Sequence, residues 1–274
     1  MTKYSNLQNI IKPYGKVAVA FSGGVDSTLL LKAAVDTLGA NNVIAITAVS
    51  RFFPAREKNE AEAFAASLGV KQLFAYEDEM NIPGVPENGP DRCYHCKHAL
   101  FTAMRDMAAA EGFTKLAEGT NLDDEADYRP GMRALSELGI ESPLRKAGLY
   151  KSDIRALSKD LGLPTWQKPA FACLASRVPY GEPLTIEKLA RIEKAEDKLH
   201  DLGFGNVRVR DHHDGEIARI EVEPGALAKL HDPQIAAVID EYLKHLGYTY
   251  VAAELTGYRM GNLNRALDIE SEIL

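Results

Sequence analysis

A loop of small residues near the start of the chain has the composition of a phosphate-binding site. It reads SGGVDS at residues 22–27 and lies between an apolar run, Val17–Phe21, and a helical run. Two glycines let the backbone turn tightly, and the N–H groups of the first turn of a following helix can bind phosphate. Asp26 would repel a bare phosphate, so the loop also predicts a bridging Mg²⁺. The sequence lacks the Gly-Lys-Ser/Thr of a Walker A loop and the Gly-x-Gly-x-x-Gly of a dinucleotide fingerprint.

A second segment, EGTNLDD at residues 118–124, follows another strand-like run. Carboxylates near a triphosphate act through Mg²⁺, although Asp123 and Asp124 fit an acidic turn or a helix N-cap equally well on spacing alone. Ligands of open parallel sheets bind beyond the carboxyl ends of the strands, where both loops and Ser50 fall. The predicted nucleotide-site residues are Ser22, Gly23, Gly24, Asp26, Ser27, Ser50, Gly119, Thr120, Asn121, Asp124 and Arg129.

Three cysteines form a second candidate set. Cys93 and Cys96 make a CxxC that fits a redox dithiol, half a zinc site, part of an iron–sulfur site, or no metal. Zinc would need four protein ligands, for which Cys173 and His95 or His98 are the obvious additions. Three thiolates alone would leave one corner of a [4Fe-4S] cubane without a cysteine, and that open iron could bind an exogenous sulfide.

The surroundings of Cys173 support two interpretations. Its alanine and leucine neighbours suit a buried, inert thiol, whereas Ser176 and Arg177 would lower a thiol pKa and recognise an anion. Farther along, Arg208 and Arg210 lie two residues apart on one face of a predicted strand. They suit a phosphate monoester, or equally cross-strand salt bridges with acids such as Glu221.

The elements that must position these residues alternate between strands and helices. Such alternation predicts an α/β fold, a parallel sheet with helices on both faces, over a first domain at residues 1–181. From about residue 182 the pattern changes to a small α+β domain, residues 182–274. The predicted strands are Val17–Phe21, Val43–Val49, Gln72–Tyr76, Lys115–Gly119, the hairpin Asn206–Arg210 with Glu216–Val222, and Thr249–Ala253. The predicted helices are Ser27–Leu38, Ala55–Leu68, Tyr94–Glu111, Arg129–Leu138, Lys151–Leu161, Thr185–Leu202 and Pro233–Leu246.

Composition narrows the class of protein. The 274-residue chain has a net charge of −7, which disfavours a nucleic-acid substrate. No apolar run is long enough for a membrane span and the N-terminus is unlike a secretory signal, so we expect a cytoplasmic protein without a membrane partner. Three cysteines in a reducing compartment favour metal, redox or nucleophilic roles over structural disulfides.

Taken together, the motifs resemble those of one family. SGGVDS by itself resembles the loop of the PP-loop ATP pyrophosphatases, which split ATP into AMP and pyrophosphate to adenylate a substrate. With RCYHCK, EGTNLDD, DYRPG, PAFACLASR and VRVR, the chain strongly resembles the LarE family from about Val17 to Arg259. That family converts a dicarboxylated pyridinium mononucleotide into the bisthiocarboxylate that later carries nickel in the cofactor of lactate racemase.

The resemblance implies the following roles. It implies a PP-loop domain that uses ATP and Mg²⁺, a smaller C-terminal domain, and a homo-oligomer in which neighbouring chains help to build the site. It assigns Asp26 to the ATP site and Cys173 to sulfur delivery. The residues that it assigns to the substrate mononucleotide are Ser176, Arg208, Arg210 and Glu221.

This sequence departs from the single-cysteine members of the family. In those members the cysteine thiolate displaces AMP and then loses its sulfur by elimination, leaving dehydroalanine. Members with a three-cysteine set resemble cluster enzymes, in which Cys93, Cys96 and Cys173 would hold a [4Fe-4S] cluster and a sulfide on the open iron is the donor. We favour this second hypothesis because a CxxC has no purpose in the sacrificial mechanism.

Three rival functions remain open on sequence alone. A tRNA thiolase of the same superfamily also combines a PP-loop with cysteines, but the acidic balance speaks against it. An ATP-dependent amidating synthetase would need ammonia and no cysteine. A non-catalytic nucleotide sensor would bind ATP without releasing pyrophosphate.

Overall fold

The structure is a computed structural model that describes residues 2–49, 55–126, 130–168, 173–259 and 262. The chain divides into two compact units. The first unit comprises Met1–Ile82 and Cys93–Phe171, and the second comprises Pro83–Arg92 and Ala172–Leu274. The domain boundary predicted at residue 182 stays a prediction.

The first unit is built on a four-stranded parallel sheet with the order β3-β2-β1-β4. Its strands are β1 (Val17–Ala20), β2 (Val43–Val49), β3 (Lys71–Tyr76) and β4 (Leu116–Ala117). Val17 pairs with Val43 on one side of β1, and Ala18 pairs with Leu116 on the other. The central strands are apolar and buried almost throughout, as expected for parallel strands covered on both faces.

Helices cover both faces of this sheet, as the sequence predicts. Val17 and Val19 join one apolar cluster with Leu29 of a helix, whereas Ala18 joins a separate cluster with Met104 of another helix. Alternate residues of a strand point to opposite faces, so the two clusters lie on opposite sides of the sheet. The helices are α1 (Lys3–Ile11), α2 (Val25–Leu38), α3 (Ala55–Ser67), α4 (Arg92–Ala110), α5 (Gly131–Glu137), α6 (Pro143–Lys146) and α7 (Lys151–Asp160).

The second unit contains a three-stranded mixed sheet with the order β5-β6-β7. Strands β5 (Val207–His212) and β6 (Ile217–Val222) form an antiparallel hairpin, and β7 (Tyr250–Ala253) runs parallel to β6. Its helices are α8 (Ile186–Asp201), α9 (Leu227–Leu230) and α10 (Pro233–His245). Leu199 of α8 and Leu243 of α10 pack with Val209 in one apolar core, so these helices cover one face of the sheet.

Segment 83–92 is held in the second unit by the buried residue Asn88. The Asn88 side-chain amide donates to the carbonyl oxygens of Pro179 at 2.7 Å and Glu182 at 2.9 Å, and its oxygen accepts a hydrogen bond from Arg92. Asn88 has a φ of 55°, a left-handed conformation that asparagine tolerates better than most residues. Sequence periodicity did not predict this docking because it depends on contacts about ninety residues apart.

Most predicted elements are present, with three differences. The strand predicted at Lys115–Gly119 is only the two residues of β4, because the residues that follow turn away. Strand β5 continues two residues past Arg210, and the helices α1, α6 and α9 were not predicted. The start of the helix predicted at Arg129–Leu138 lies outside the described residues. In the described part of the chain, no helix has both the length and the apolar character required to cross a membrane.

Candidate active site

The strand order places the two predicted nucleotide-binding loops side by side. The chain runs from β1 through β2 to β3 on one side, and β4 adds to the other side of β1. The loops after β1 and β4 therefore leave the sheet at its topological switch point. In open α/β sheets this crevice beyond the carboxyl ends of the strands is the usual ligand site.

Loop 22–27 is ordered by its own hydroxyl groups. The Ser27 hydroxyl accepts a hydrogen bond from the Ser22 amide at 3.3 Å and donates to the Gly24 carbonyl at 3.2 Å. The N-terminus of α2 begins after Gly24 and has no side-chain cap. Helix N–H groups without a side-chain partner, at the positive end of the helix dipole, favour an anion. The loop is therefore shaped for phosphate.

Gly119 explains how the two loops approach each other so closely. A Cβ atom added to Gly119 would lie 3.0 Å from the Asp26 Cβ and 3.1 Å from the Ser27 amide nitrogen. Any larger residue would force the loops apart. The buried Glu118 carboxylate fixes the same turn, because it accepts hydrogen bonds from the Thr120 amide at 2.9 Å and from the Ser142 hydroxyl at 2.6 Å.

Asp26 lies at the centre of a polar cluster. Its carboxylate forms an ion pair with Lys151 and accepts a hydrogen bond from the Asn121 side-chain amide at 3.3 Å. Both Asp26 and Lys151 are partly exposed, with 23% and 32% of their side-chain surfaces accessible. An ion pair of this exposure can exchange partners at low free-energy cost. A triphosphate could therefore attract Lys151 and leave Asp26 facing the metal that accompanies it.

The two aspartates after Asn121 have structural partners. The Asp123 carboxylate accepts a hydrogen bond from the Lys151 amide at 2.6 Å, and the Asp124 carboxylate accepts one from the Asn121 amide at 3.0 Å. Asp123 thus stabilises the start of α7, while Asp124 closes its own turn. The assignment of Asp124 to the ATP site stays a prediction.

Cys93 and Cys96 lie in the first two turns of α4. Both are half-buried, and neither they nor Cys173 forms a disulfide. Residues three apart on a helix lie on the same face, so the two thiols are spaced to share one metal-bound group. Between them, Tyr94 donates a hydrogen bond to Glu137 at 2.7 Å, and the Arg133 guanidinium lies 3.9 Å from the centre of its ring.

Cys173 begins a tight turn in the second unit, Leu174–Arg177. Its carbonyl accepts hydrogen bonds from the Ser176 hydroxyl at 2.7 Å and from the Arg177 guanidinium at 3.1 Å. Arg177 is buried and also forms a bidentate pair with Glu196, with both N···O distances at 2.8 Å. The backbone at Cys173 is therefore held by a charged side chain that is itself fixed.

Arg208 and Arg210 share one face of β5 with acidic and basic neighbours on β6. Arg210 donates to the Ser176 carbonyl at 2.8 Å and to the Glu221 carboxylate at 2.6 Å. The other Glu221 oxygen pairs with Arg219 at 3.0 Å. The structure thus brings Ser176, Arg210 and Glu221, which the sequence predicts as site residues, into one connected network.

Among the described residues this network contains four arginines, Arg177, Arg208, Arg210 and Arg219, and three glutamates, Glu196, Glu221 and Glu254. Arg177, Arg210 and Arg219 form ion pairs with these glutamates, and the Arg208 charge interacts with Glu196 and Arg177. Burial, and next the nearby Arg177 charge, lower the pKa of Arg208 to about 10. The Arg210 Nε atom is buried without a hydrogen-bond acceptor among the described residues. A buried donor without an acceptor favours an anionic ligand.

The sequence predictions can now be located. The described nucleotide-site residues lie in the loops after β1 and β4 and at the start of α2, whereas Cys93 and Cys96 lie on α4. The predicted residues of the second unit lie in the turn 173–177 and on β5 and β6. Ser50 and Arg129 lie outside the described residues. Lys151 and Lys168 in the first unit, and Glu196 in the second, contact the predicted residues or their neighbours but were not predicted. No sequence signal reveals them, because each contacts a partner distant in sequence or on another element.

Among the described residues, no group of three or more histidine, cysteine, aspartate or glutamate side chains is arranged to hold a metal ion.

The loop, the uncapped α2 helix and the parallel sheet define the first unit as a PP-loop nucleotide-binding domain. A family model described as NAD synthase matches residues 5–82, which contain this loop. The chain is 39% identical to the pyridinium-3,5-bisthiocarboxylic acid mononucleotide synthase of Lactiplantibacillus plantarum, over 97% of this chain and 95% of that protein. The chain belongs to the LarE family of such synthases.

Two further relatives show how much of the chain is similar to other proteins. An uncharacterized protein of Synechocystis sp. is 40% identical over 97% of this chain and 98% of that protein. The NH(3)-dependent NAD(+) synthetase of Chlorobium phaeovibrioides is 29% identical over 58% of each chain. Similarity to the synthase thus covers nearly the whole chain, whereas similarity to the NAD synthetase covers little more than half.

Proposed function

We propose that this protein is an ATP-dependent sulfur transferase that inserts sulfur into the carboxylates of a pyridinium-3,5-dicarboxylate mononucleotide. The product would supply the nickel-pincer cofactor of lactate racemase. The observation that carries the proposal is a PP-loop whose aspartate is paired with an exchangeable lysine, in a chain that is similar end to end to a bisthiocarboxylate synthase.

The first step needs ATP because a carboxylate has no adequate leaving group. A substrate carboxylate oxygen attacks the α-phosphorus of ATP, the bond to pyrophosphate breaks, and pyrophosphate leaves with the bonding electrons. Loop 22–27 and the first turn of α2 would hold the departing anion, with Lys151 as an additional cation. Mg²⁺, when bound beside Asp26, would neutralise part of the phosphate charge. The remaining residues that we propose for this site are those predicted above.

The second step replaces AMP with sulfur. A sulfur nucleophile attacks the acyl carbon, the bond to AMP oxygen breaks, and AMP leaves with the bonding electrons. Ser176, Arg208, Arg210 and Glu221 would hold the substrate mononucleotide through its phosphate, because the buried Arg210 Nε has no acceptor among the described residues and Arg208 lies on the same face of β5. The arginine fork suits the geometry of a phosphate.

We propose that the sulfur comes from a [4Fe-4S] cluster ligated by Cys93, Cys96 and Cys173. Donor chemistry and the helical spacing of the CxxC support this assignment, since thiolates are the ligands that iron–sulfur clusters require. The cluster, when bound, would supply a sulfide at the iron that has no cysteine. In the alternative, Cys173 is itself the sacrificed sulfur donor.

Iron content and product stoichiometry decide between these donors. Anaerobically isolated or reconstituted protein should contain about one cubane per chain, and Cys93→Ser should lose it. Colourless protein in which Cys173 becomes dehydroalanine after one round of reaction would instead establish the sacrificial mechanism.

We also propose that the protein forms a homo-oligomer, which sedimentation velocity would test.

The whole proposal is tested by incubating anaerobic protein with Mg-ATP and the pyridinium dicarboxylate mononucleotide. Pyrophosphate and AMP should appear together with the thiocarboxylate product, identified by mass spectrometry. Asp26→Asn should abolish pyrophosphate release. Asp36→Asn is the matched control, because Asp36 lies on the same helix and pairs with Lys32 away from the loop. Absence of substrate-dependent pyrophosphate release from the wild type would rule out the proposal.

The match to the NAD synthase model favours one other candidate, an ATP-dependent amidating synthetase. Both functions share the adenylation step and differ in the nucleophile. Full activity of Cys173→Ala with ammonia, yielding a carboxamide, would establish amidation. If Cys173→Ala forms no product even with ammonia present, the amidating synthetase is excluded.

A further inference from the structure

Lys168 is fixed in the first unit through its backbone and its side chain. Its amide donates to the Thr165 carbonyl at 2.9 Å, and its carbonyl accepts a hydrogen bond from Arg155 at 2.8 Å. Its ammonium group donates to the Glu60 carboxylate at 2.6 Å and to the Gly23 carbonyl at 3.2 Å. The side chain is only 12% exposed. Lys168 is thus held in one position beside loop 22–27.

The contact with Gly23 determines the orientation of one peptide group in the loop. In a trans peptide the C=O and N–H groups point in opposite directions. If the Gly23 carbonyl is held towards Lys168, the Gly24 N–H must point away from Lys168. That N–H has only a long hydrogen bond to the Ser22 hydroxyl, at 3.4 Å, and thus remains available to a stronger acceptor.

The glycines make this orientation both possible and easily lost. Gly23 has a φ of 70°, and a Cβ atom added there would lie 3.2 Å from the Ala61 Cβ of α3. A Gly-Gly peptide has little steric resistance to rotation of its plane. After such a flip the Gly23 carbonyl, in place of the Gly24 N–H, would face the anion and repel phosphate.

We propose that Lys168 is a positioning residue of the nucleotide site, which holds the Gly23–Gly24 peptide with its N–H directed at pyrophosphate. This inference rests on the proposed function, since it concerns the pyrophosphate group of the ATP step. Lys168 acts through the loop and need not touch the ligand. Glu60 helps to orient Lys168 but is 61% exposed, so its contribution is small.

Binding of inorganic pyrophosphate in the presence of Mg²⁺ tests the consequence for the ligand. Calorimetry should show an affinity roughly tenfold lower for Lys168→Met, because a charge-assisted hydrogen bond no longer fixes the peptide. Lys168→Arg, which keeps the charged donor, and the matched variant Glu60→Gln should stay within about threefold of the wild type. Lys168→Gln replaces Lys168→Met if thermal melting shows that the methionine variant does not fold.

The peptide orientation itself can be observed by NMR in protein without ligand. Gly23-Gly24 is the sole Gly-Gly pair in the sequence, so labelling with carbonyl-¹³C, ¹⁵N-glycine leaves a single carbonyl-coupled amide signal, that of Gly24. This signal should shift or broaden in Lys168→Met and stay near its wild-type position in Glu60→Gln.

Two outcomes would overturn the inference. One is unchanged pyrophosphate affinity in Lys168→Met. The other is weakened affinity with an unaltered Gly24 signal, which would make Lys168 a charge that contacts the ligand directly. Failure of the wild type to bind pyrophosphate would contradict the proposed function instead, so the two failures are distinguishable.

Discussion

The two faces of strand β5 carry buried charges of opposite character. Asp211 faces the core side, where it pairs with Arg191 of α8 at 2.9 Å. Arg208 and Arg210 face the other side, where Arg210 shares the Glu221 carboxylate with Arg219. One strand thus carries an acid paired with a helix arginine on one face and two arginines on the other.

Electrostatics distinguish the two faces. Burial alone would lower the pKa of Arg191, but the Asp211 carboxylate outweighs it and raises that pKa. On the opposite face burial lowers the pKa of Arg208, and Arg177 adds to the effect. The Asp211 carboxylate has its counter-charge in Arg191, whereas Arg210 has a buried Nε donor without an acceptor among the described residues, a feature that favours an anionic ligand.

The largest expected effect is a loss of stability when the Arg191–Asp211 pair on the core side of β5 is removed. Arg191→Met leaves the buried Asp211 carboxylate without its cation, and the free energy of unfolding should fall by about 3 kcal/mol. Urea denaturation at neutral pH measures the change. Lys194→Met, an exposed position on the same helix, should change it by less than about 0.5 kcal/mol. Equal effects of the two substitutions would show that the pair is not structural.

Arg210→Met should affect binding more than stability. Loss of its bonds to a phosphate should weaken binding of the substrate mononucleotide about 30-fold. The Glu221 carboxylate would keep Arg219 at 3.0 Å and Asn262 at 3.2 Å, so it is not left unpaired. Calorimetry and urea denaturation on the same protein separate the two effects. If stability falls as far as in Arg191→Met while binding is kept, the two faces do not differ in role.

The Asp26–Lys151 pair of the nucleotide site can be compared with the Asp211–Arg191 pair of β5. Both are ion pairs, but only the Asp26–Lys151 pair is proposed to bind a ligand, ATP. Exposure makes the difference: Asp26 and Lys151 are partly accessible, whereas Asp211 is fully buried. Lys151→Met should raise the KM for ATP about tenfold and change stability by no more than about 1 kcal/mol.

A closely matched control exists on α2. The Lys32–Asp36 pair has side-chain exposures of 27% and 26%, close to the 32% and 23% of Lys151–Asp26. Lys32→Met should leave the KM for ATP unchanged. Steady-state measurement of pyrophosphate release compares the two variants, and identical KM values would remove Lys151 from the site.

The sequence predicts those parts of the site that are continuous in the chain. Loop 22–27 and the Arg208/Arg210 pair could be named as candidate site residues because a few adjacent residues carry the whole signal. Lys151 was not, because its place depends on the hydrogen bond from its amide to Asp123, 28 residues away. The parallel sheet was predictable from apolar periodicity, but the shortness of β4 depends on the turn that Glu118 fixes. Contacts between side chains that are distant in sequence produce no periodic pattern, so the sequence alone does not predict them.

The smallest expected effect is a gain in stability, which is unusual for the substitution of a buried residue. The pKa of Arg208 is lower in the folded protein, about 10, than in an unfolded chain, so folding disfavours the charged form of this side chain relative to its neutral form. Arginine remains protonated at neutral pH, and this cost is therefore fully present there. Arg208→Met should raise the free energy of unfolding by about 1 kcal/mol at pH 7, since an apolar residue of similar volume removes a buried charge.

The same variant has a defined pH dependence and ligand dependence. Its advantage in stability should stay constant up to about pH 9 and shrink as the pH rises through 10, where the wild-type Arg208 begins to lose its proton in the folded state. Saturating substrate mononucleotide should reverse the order of stability, because its phosphate interacts with the Arg208 charge in the wild type alone. Urea denaturation with and without ligand measures both effects. A loss of stability at pH 7 would place Arg208 with Arg191 among the structural charges, and Arg208 would then no longer indicate a ligand site on this face of β5.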